Sequence, residues 1–386
     1  MAQKAGMEAA VAATRAWRHR IAAILLLLPA LTHSAILPED RADALYHSYD
    51  GGGVTVTGPS ILVRKGDAKR FSASANYYAD SISSASIDVV TQGSEYSESR
   101  DQYSVGLDYL HADTTMSLAY TNSEESDYKA DTYSVTFSQT LFGNMTTVNL
   151  GYSRGFDDVF RNGDTSFSET ADHQNYHMSL TQVLTRDLLL SLNYDAVTDE
   201  GFLNNPYRSV AFLDTSTPSG IGFEPEAYPN TRTSNAVSAN FLYYLPYRAT
   251  IKAGYRYYAD DWDIAAHTAE LAYVHPFGKH WIFETGYRFY TQSEAEFYAD
   301  FFPRADAQNF KARDKELSQF TDHTISLGVS YDLPGGKRGF IDKTTLNLKY
   351  SYILFKYDNF TDLSDSSLPD YEFSASVIQA FASIWY

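Results

Sequence analysis

Residues 101–111, DQYSVGLDYLH, sort their side chains into two rows. Tyr103, Val105, Leu107 and Tyr109 share one parity, and Gln102, Ser104, Gly106 and Asp108 take the other. Alternation with period two is the signature of a β-strand with one apolar face. A short turn follows, and Met116, Leu118 and Tyr120 then alternate with Ser117, Ala119 and Thr121. The same pattern recurs outward in both directions. Tyr133, Val135 and Phe137 continue it, as do Val148, Leu150 and Tyr152, then Leu188, Leu190, Leu192 and Tyr194. Further on it returns at Val237–Tyr243, Ile251–Tyr257, Trp281–Phe289, Ile325–Tyr331 and Leu346–Tyr352.

The character of the two rows separates a membrane barrel from a soluble sandwich. The apolar row ends in Tyr, Phe or Trp, and the chain holds 31 Tyr and 23 Phe. The opposite row is Ser, Thr, Asn, Gly and charge. A lipid-facing band edged by aromatic residues around a polar lumen requires this arrangement, whereas a sandwich buries its apolar row and exposes Lys and Glu. Hydrophobic content is 44% and mean hydropathy is negative, because only alternate residues need face lipid.

Connection lengths add a second test. Short links fall at 64–70, 111–113, 141–144, 185–187, 246–248, 276–280 and 333–343. Longer or more polar links fall at 80–100, 122–130, 155–168, 196–232, 293–321 and 357–370, with a short exception at 260–263. Alternation of short and long links predicts an all-β, up-and-down antiparallel transmembrane barrel with tight periplasmic turns, long external loops and both termini periplasmic. Counting gives 14 strands from Phe71 onward. Two weaker ones at 44–49 and 54–64, broken by Gly51, Gly52, Gly53, Gly58 and Pro59, bring the number to about 16 and leave 14 as the alternative. The chain closes on Ile378, Ala380, Ala382, Ile384 and Tyr386, an alternating strand with an aromatic last residue. Such a strand is what the barrel-assembly machinery of a Gram-negative outer membrane reads.

Residues 1–35 read as a signal peptide. Arg15, Arg18 and Arg20 precede the apolar run 21–31, IAAILLLLPAL, which is too short to span a bilayer as a helix. Cleavage after Ser34 or after Ala35 fits the small residues there, leaving 36–386 as a single barrel domain. Zero Cys excludes a disulfide framework and Cys-ligated metal or haem. A net charge of −18 argues against nucleic acid as a partner.

Several segments resemble a family of proteobacterial outer-membrane proteins known only as a domain of unknown function. They are Leu45-Tyr46-His47-Ser48-Tyr49-Asp50-Gly51-Gly52-Gly53, Asn76-Tyr77-Tyr78, residues 84–91 (SASIDVVT) and residues 121–128 (TNSEESDY). The resemblance implies a barrel over nearly all of the mature chain and supplies no catalytic residue. Members are encoded beside a flavin transferase and thioredoxin-like proteins, which implies a periplasmic redox partner.

The polar row carries the functional lead. Lys252, Arg256, Glu270, Glu284 and Arg288 fall on three successive strands, with Lys349 further round. Two readings stand: an ion ladder bracing the wall, and a constriction whose field selects solutes. A barrel of about 16 strands leaves room for an aqueous channel. The expected function is therefore a porin-like channel for small polar solutes, without cofactor or catalytic residues. The alternative is a scaffold that sheathes or docks a periplasmic redox or metal-handling partner. A third is a lipase-like enzyme, since His177, Ser179 and Asn193 lie on adjacent strands, though on the polar parity rather than toward lipid. His173 and His177, four residues apart on one strand, stand about 13 Å apart and cannot share one ion.

Acidic segments at Glu124, Glu125 and Asp127, at Asp157 and Asp158, and at Asp358, Asp362, Asp365 and Asp370 read as a solvated outer rim facing lipid and lipopolysaccharide. Lys65, Lys69, Arg70, Arg248, Lys279, Lys337 and Arg338 mark the periplasmic turns. The segment 196–231, with Pro206, Pro218, Pro225 and Pro229, is read as the longest irregular stretch, either folded into the pore or lying over the surface. Residues 81–90 are read as a short helix or an inserted loop.

Overall fold

A computed structural model describes residues 36–84, 96–334 and 339–386. The leader, and the part of the 81–90 segment beyond Ser84, lie outside the described residues. Ser81 to Ser84 continue a strand.

The strands are β1 (Arg41–Gly51), β2 (Val54–Gly66), β3 (Phe71–Ser84), β4 (Tyr96–His111), β5 (Thr114–Glu124) and β6 (Tyr128–Leu141). They continue with β7 (Thr146–Arg161), β8 (Asp164–Thr185), β9 (Leu188–Gly201), β10 (Ser209–Leu213), β11 (Ile221–Pro225) and β12 (Thr231–Tyr244). The last are β13 (Thr250–Asp260), β14 (Ala265–Phe277), β15 (Trp281–Gln292), β16 (Phe320–Asp332), β17 (Lys343–Thr361) and β18 (Asp370–Trp385), with one 3-10 turn at Lys315–Leu317. β10 and β11 pair only with each other, and the other 16 close into one antiparallel barrel in chain order. The count of 16 holds and 14 is excluded, because β1 pairs with β18 from Arg41↔Trp385 to Gly51↔Ala375 and with β2 from Arg41↔Arg64 to Gly51↔Val54. In hydrocarbon every backbone donor needs a partner within the protein, and closure supplies one from each neighbouring strand.

The glycines that break the pattern of the first hairpin are what its turn needs. Gly52 and Gly53 form a two-residue turn at φ +59° and +77°, a left-handed pairing that only such residues adopt without strain.

The apolar rows face outward. Leu107, Leu118, Phe137, Leu150, Met178, Leu192, Phe241, Leu271, Phe283, Leu327, Leu348 and Ile378 are all exposed large hydrophobics. Burying this band in lipid gives roughly 25 cal/mol per Å² of apolar area, so the outer surface becomes stable only in a bilayer. The chain is an outer-membrane β-barrel, with apolar side chains outside and polar ones around the lumen.

Two expectations about the longer links need correction. The link expected at 155–168 is strand: β7 and β8 run on to a two-residue turn at Asn162 and Gly163, raising a hairpin above the rim. The stretch expected to be irregular at 196–231 contains the end of β9, the small β10–β11 sheet and the start of β12. In both places polar composition marked an element beyond the bilayer, where a strand no longer needs an apolar row.

Candidate functional site

At the barrel end opposite Arg41 and Trp385, two long connections lock together. One joins β9 to β12 (202–230) and the other joins β15 to β16 (293–319). Phe212 bridges to Phe302 and Ala227 to Lys311 through the backbone. Arg313, only 3% exposed, holds the junction. Its Nε donates to Asp300 O at 2.9 Å, its Nη2 donates to Thr361 O at 2.8 Å, and its guanidinium lies 4.4 Å over the Phe360 ring. The Arg313 backbone N–H donates to Glu226 at 2.7 Å, and the same carboxylate accepts from the Tyr228 hydroxyl at 2.7 Å. Lys311 pairs with Glu224 at 2.9 Å and with Asp306 at 3.1 Å.

The cap spans the mouth. On one side the Tyr207 hydroxyl donates to Asp127, in the β5–β6 turn, at 2.6 Å and accepts from the Asn162 N–H at 2.7 Å. On the other side Arg313 reaches the end of β17. β6 and β17 lie seven strands apart by the shorter path round a ring of 16, close to opposite. Beneath the cap Trp262, Ile264, Phe297, Leu317, Tyr357 and Phe360 bury one another, with Phe320, Phe355 and Phe373 packed alongside. Phe355 and Phe373 stack at 4.5 Å and 16°. This apolar cluster was not anticipated, although Phe355 and Tyr357 stand on the inward parity of β17, where aromatic side chains signal a buried lumen face rather than a wet one.

Further down the lumen the polar row is wet. Lys252 reaches across β14 to Glu284 at 2.8 Å, and their side chains are 44% and 31% exposed. Arg288 pairs with Asp322 at 3.2 Å and stands 3.8 Å from Glu270, which is 57% exposed although it faces inward. A pair as hydrated as Lys252 with Glu284 contributes a few tenths of a kcal/mol, whereas Asp322, at 3% exposure, is buried against Arg288. Arg256 lies 5.6 Å over the Tyr258 ring, and among the described residues neither it nor Lys349 has a carboxylate partner.

The histidines are also accounted for. His173 lies between Asp157 at 2.9 Å and Asp199 at 2.7 Å, and His177 bonds Asp195 at 2.6 Å. Ser179 accepts from Asn149 Nδ2 at 2.8 Å, while Asn193 donates to Ser238 at 3.0 Å. His177, Ser179 and Asn193 thus each hold a different partner. His47, absent from the sequence-based site, stacks on Tyr78 at 5.2 Å and bonds Asp80 at 2.7 Å, and Asp80 accepts from Arg100 at 2.7 Å. At the rim Glu98, Glu125 and Asp127 gather their carboxylates within 4.8 Å of one another. Burial, and then the nearby Glu98, raise the Glu125 carboxyl above its usual range.

Residues 160–350 match the model of a family described as a protein of unknown function, DUF3570. Over that stretch the chain is similar to this family of unknown function. The match covers both capping loops and the charged belt, and it lies downstream of the segments between residues 45 and 128 that carry the resemblance in the sequence. No curated protein matches the chain. Among solved structures, a bacterial polysaccharide outer-membrane secretin is similar at a TM-score of 0.50 and 6% identity, over 91% of this chain and 100% of that one. The siderophore receptor PirA from Pseudomonas aeruginosa aligns at 0.45 and 9% identity, covering 90% and 81% of the two chains. OmpT of Vibrio cholerae with loop L8 deleted aligns at 0.44 and 10%, covering 90% and 99%. At these identities the likeness is one of fold.

Proposed function

We propose that this barrel is a passive channel for small polar solutes, narrowed at its outer mouth by its own two interlocked loops. The observation that carries the reading is the hydrated charge belt: Glu270, Lys252 and Arg288 point inward and yet remain 57%, 44% and 37% exposed. Charged rings at close quarters tune which ions and solutes pass. The orientation that suits the reading puts both termini and the basic turns in the periplasm, with the cap and acidic rim facing lipopolysaccharide. The closing strand of β18 is then the segment offered to the assembly machinery. No catalytic step is part of this role.

Single-channel conductance of the purified protein in a planar bilayer tests it. Steady openings are expected, with Arg256→Ala and Arg288→Ala shifting selectivity toward cations. A barrel that inserts and stays silent overturns the channel. The cap lends support to a second reading, a scaffold that receives a periplasmic redox or metal-handling partner at the end opposite the cap. A silent barrel that co-purifies with such a protein would favour it.

A further inference from the structure

Two neighbouring hairpins of the wall repeat one motif. Gly254-Tyr255-Arg256-Tyr257-Tyr258 in β13 corresponds to Gly286-Tyr287-Arg288-Phe289-Tyr290 in β15, and the following strands carry His267-Thr268 and His323-Thr324. The geometry repeats as well. The Tyr255 hydroxyl lies 2.7 Å from His267 Nδ1, and the Tyr287 hydroxyl lies 2.7 Å from His323 Nδ1. His267 stands 5.1 Å from the Tyr257 ring and His323 5.1 Å from the Phe289 ring, both at 46°. Arg256 and Arg288 lie 5.6 and 5.4 Å over Tyr258 and Tyr290.

On the lumen side the two copies part at one residue. The residue before the histidine is Asp322 in one copy and Ala266 in the other. Asp322 takes Arg288 at 3.2 Å, and Glu270 stands on the other side of that guanidinium. Arg256 has Ser238 and Thr268 across from it on its neighbouring strands, and no carboxylate of the described residues pairs with it. A guanidinium does not shed its proton, so this copy keeps an open cation where its twin is neutralised.

Arg256 lines a cavity of about 490 Å³ under the cap, within the size of small-ligand pockets. The cap contributes Glu316, whose exposed carboxylate also has no partner among the described residues. Other charges around the cavity are already matched: His173 with Asp157 and Asp199, Arg232 with Asp260 at 2.6 Å, and Asp314 with Arg208. What remains open is one cation from the wall, one anion from the cap, and the aromatic faces of Tyr228, Tyr258, Trp262 and Tyr290.

We propose that this vestibule binds a small zwitterion of the amino-acid class. Its carboxylate meets Arg256 through two parallel N–H donors, its ammonium meets Glu316, and its apolar or aromatic side chain lies against the aromatic walls. The proposal deepens the channel reading by naming its solute, and it rests on that reading only in needing the vestibule open to water.

Titration calorimetry of the full barrel in detergent, with L-phenylalanine as the probe, tests it apart from conduction. Phenylalanine is expected to bind, and to bind at least tenfold tighter than phenylpropionate, which lacks the ammonium. Arg256→Ala weakens phenylalanine binding at least tenfold. Ala266→Asp does the same while keeping the arginine, because it restores the partner that Arg288 already has. Glu316→Gln removes the preference over phenylpropionate. Absence of phenylalanine binding, unchanged binding in Ala266→Asp, or equal binding of the two probes overturns the proposal. A barrel that conducts without binding refutes the site alone, and one that binds without conducting refutes the channel alone.

Discussion

Asp67 closes the β2–β3 turn by accepting three backbone N–H groups, from Phe71 at 2.9 Å, Arg70 at 2.7 Å and Lys69 at 2.8 Å. These bonds favour the ionised carboxylate and lower its pKa to about 2, with the bond from Phe71 the largest cause. A carboxyl depressed on folding adds stability that is complete above its unfolded pKa near about 4 and is lost as pH falls through about 2. NMR titration of the Asp67 side chain in micelles should therefore find a midpoint near 2, and a midpoint near about 4 would remove the three-bond account. The turn was legible in the sequence as a short polar link. The carboxylate's three bonds were not, because they depend on backbone angles that include Ala68 at φ +58°.

Strand β2 shows how one residue sets the approach of two elements. A Cβ on Gly58 would lie 1.7 Å from Ala79 O of β3. The β2–β3 register passes from Thr57↔Ser81 to Ser60↔Tyr78, so Gly58 and Pro59 sit where the ladder skips. Pro59 has no N–H to offer there, and the residue beside it must be small enough for Ala79 to come close. Gly58→Val should cost the folded barrel about 1–3 kcal/mol or more through overpacking. At Gly151 a Cβ would meet His177 Cβ at an ordinary 3.4 Å, so Gly151→Ala should change stability by about 0.5 kcal/mol or less. Thermal loss of the heat-modifiable, barrel-shaped band on gels compares the two, and equal melting would contradict the close-approach argument. In the sequence these residues only weakened the strand pattern. The structure turns the same interruption into a reason for their presence.

At the scale of the molecule, wall and cap are separable. The ring of 16 strands pairs without help from the loops, and β1 meets β18 along the whole of its length from Arg41 to Gly51. The cap is held by its own polar contacts, notably Arg313 with Asp300 and Glu226, and is tied to the wall where Arg313 meets Thr361. Replacing residues 293–319 with a short Gly–Ser turn should leave the barrel folded and raise its single-channel conductance severalfold. Unchanged conductance in a folded variant would show that the cap is not the narrowing.

The wall could be read from the sequence because alternation is local: each side chain's face follows from its parity, and lipid outside with water inside sorts the two rows all the way round. The outward apolar band and the inward charges from Lys252 to Arg288 follow from that rule, whereas 16 strands rather than 14 was decided by the pairing of β1 with β18 and β2. Local parity says nothing about which inward charges are satisfied. Arg256 and Arg288 share one motif and one parity, and only the neighbouring strand, with Ala266 in one case and Asp322 in the other, decides which stays open. The direction of a long loop is equally non-local. The bond from the Arg313 backbone to Glu226 joins residues 87 apart, and no pattern along either segment encodes it. The tertiary structure alone decided that the two loops meet over the lumen, because that choice rests on contacts made only once the barrel has closed and brought them to the same mouth.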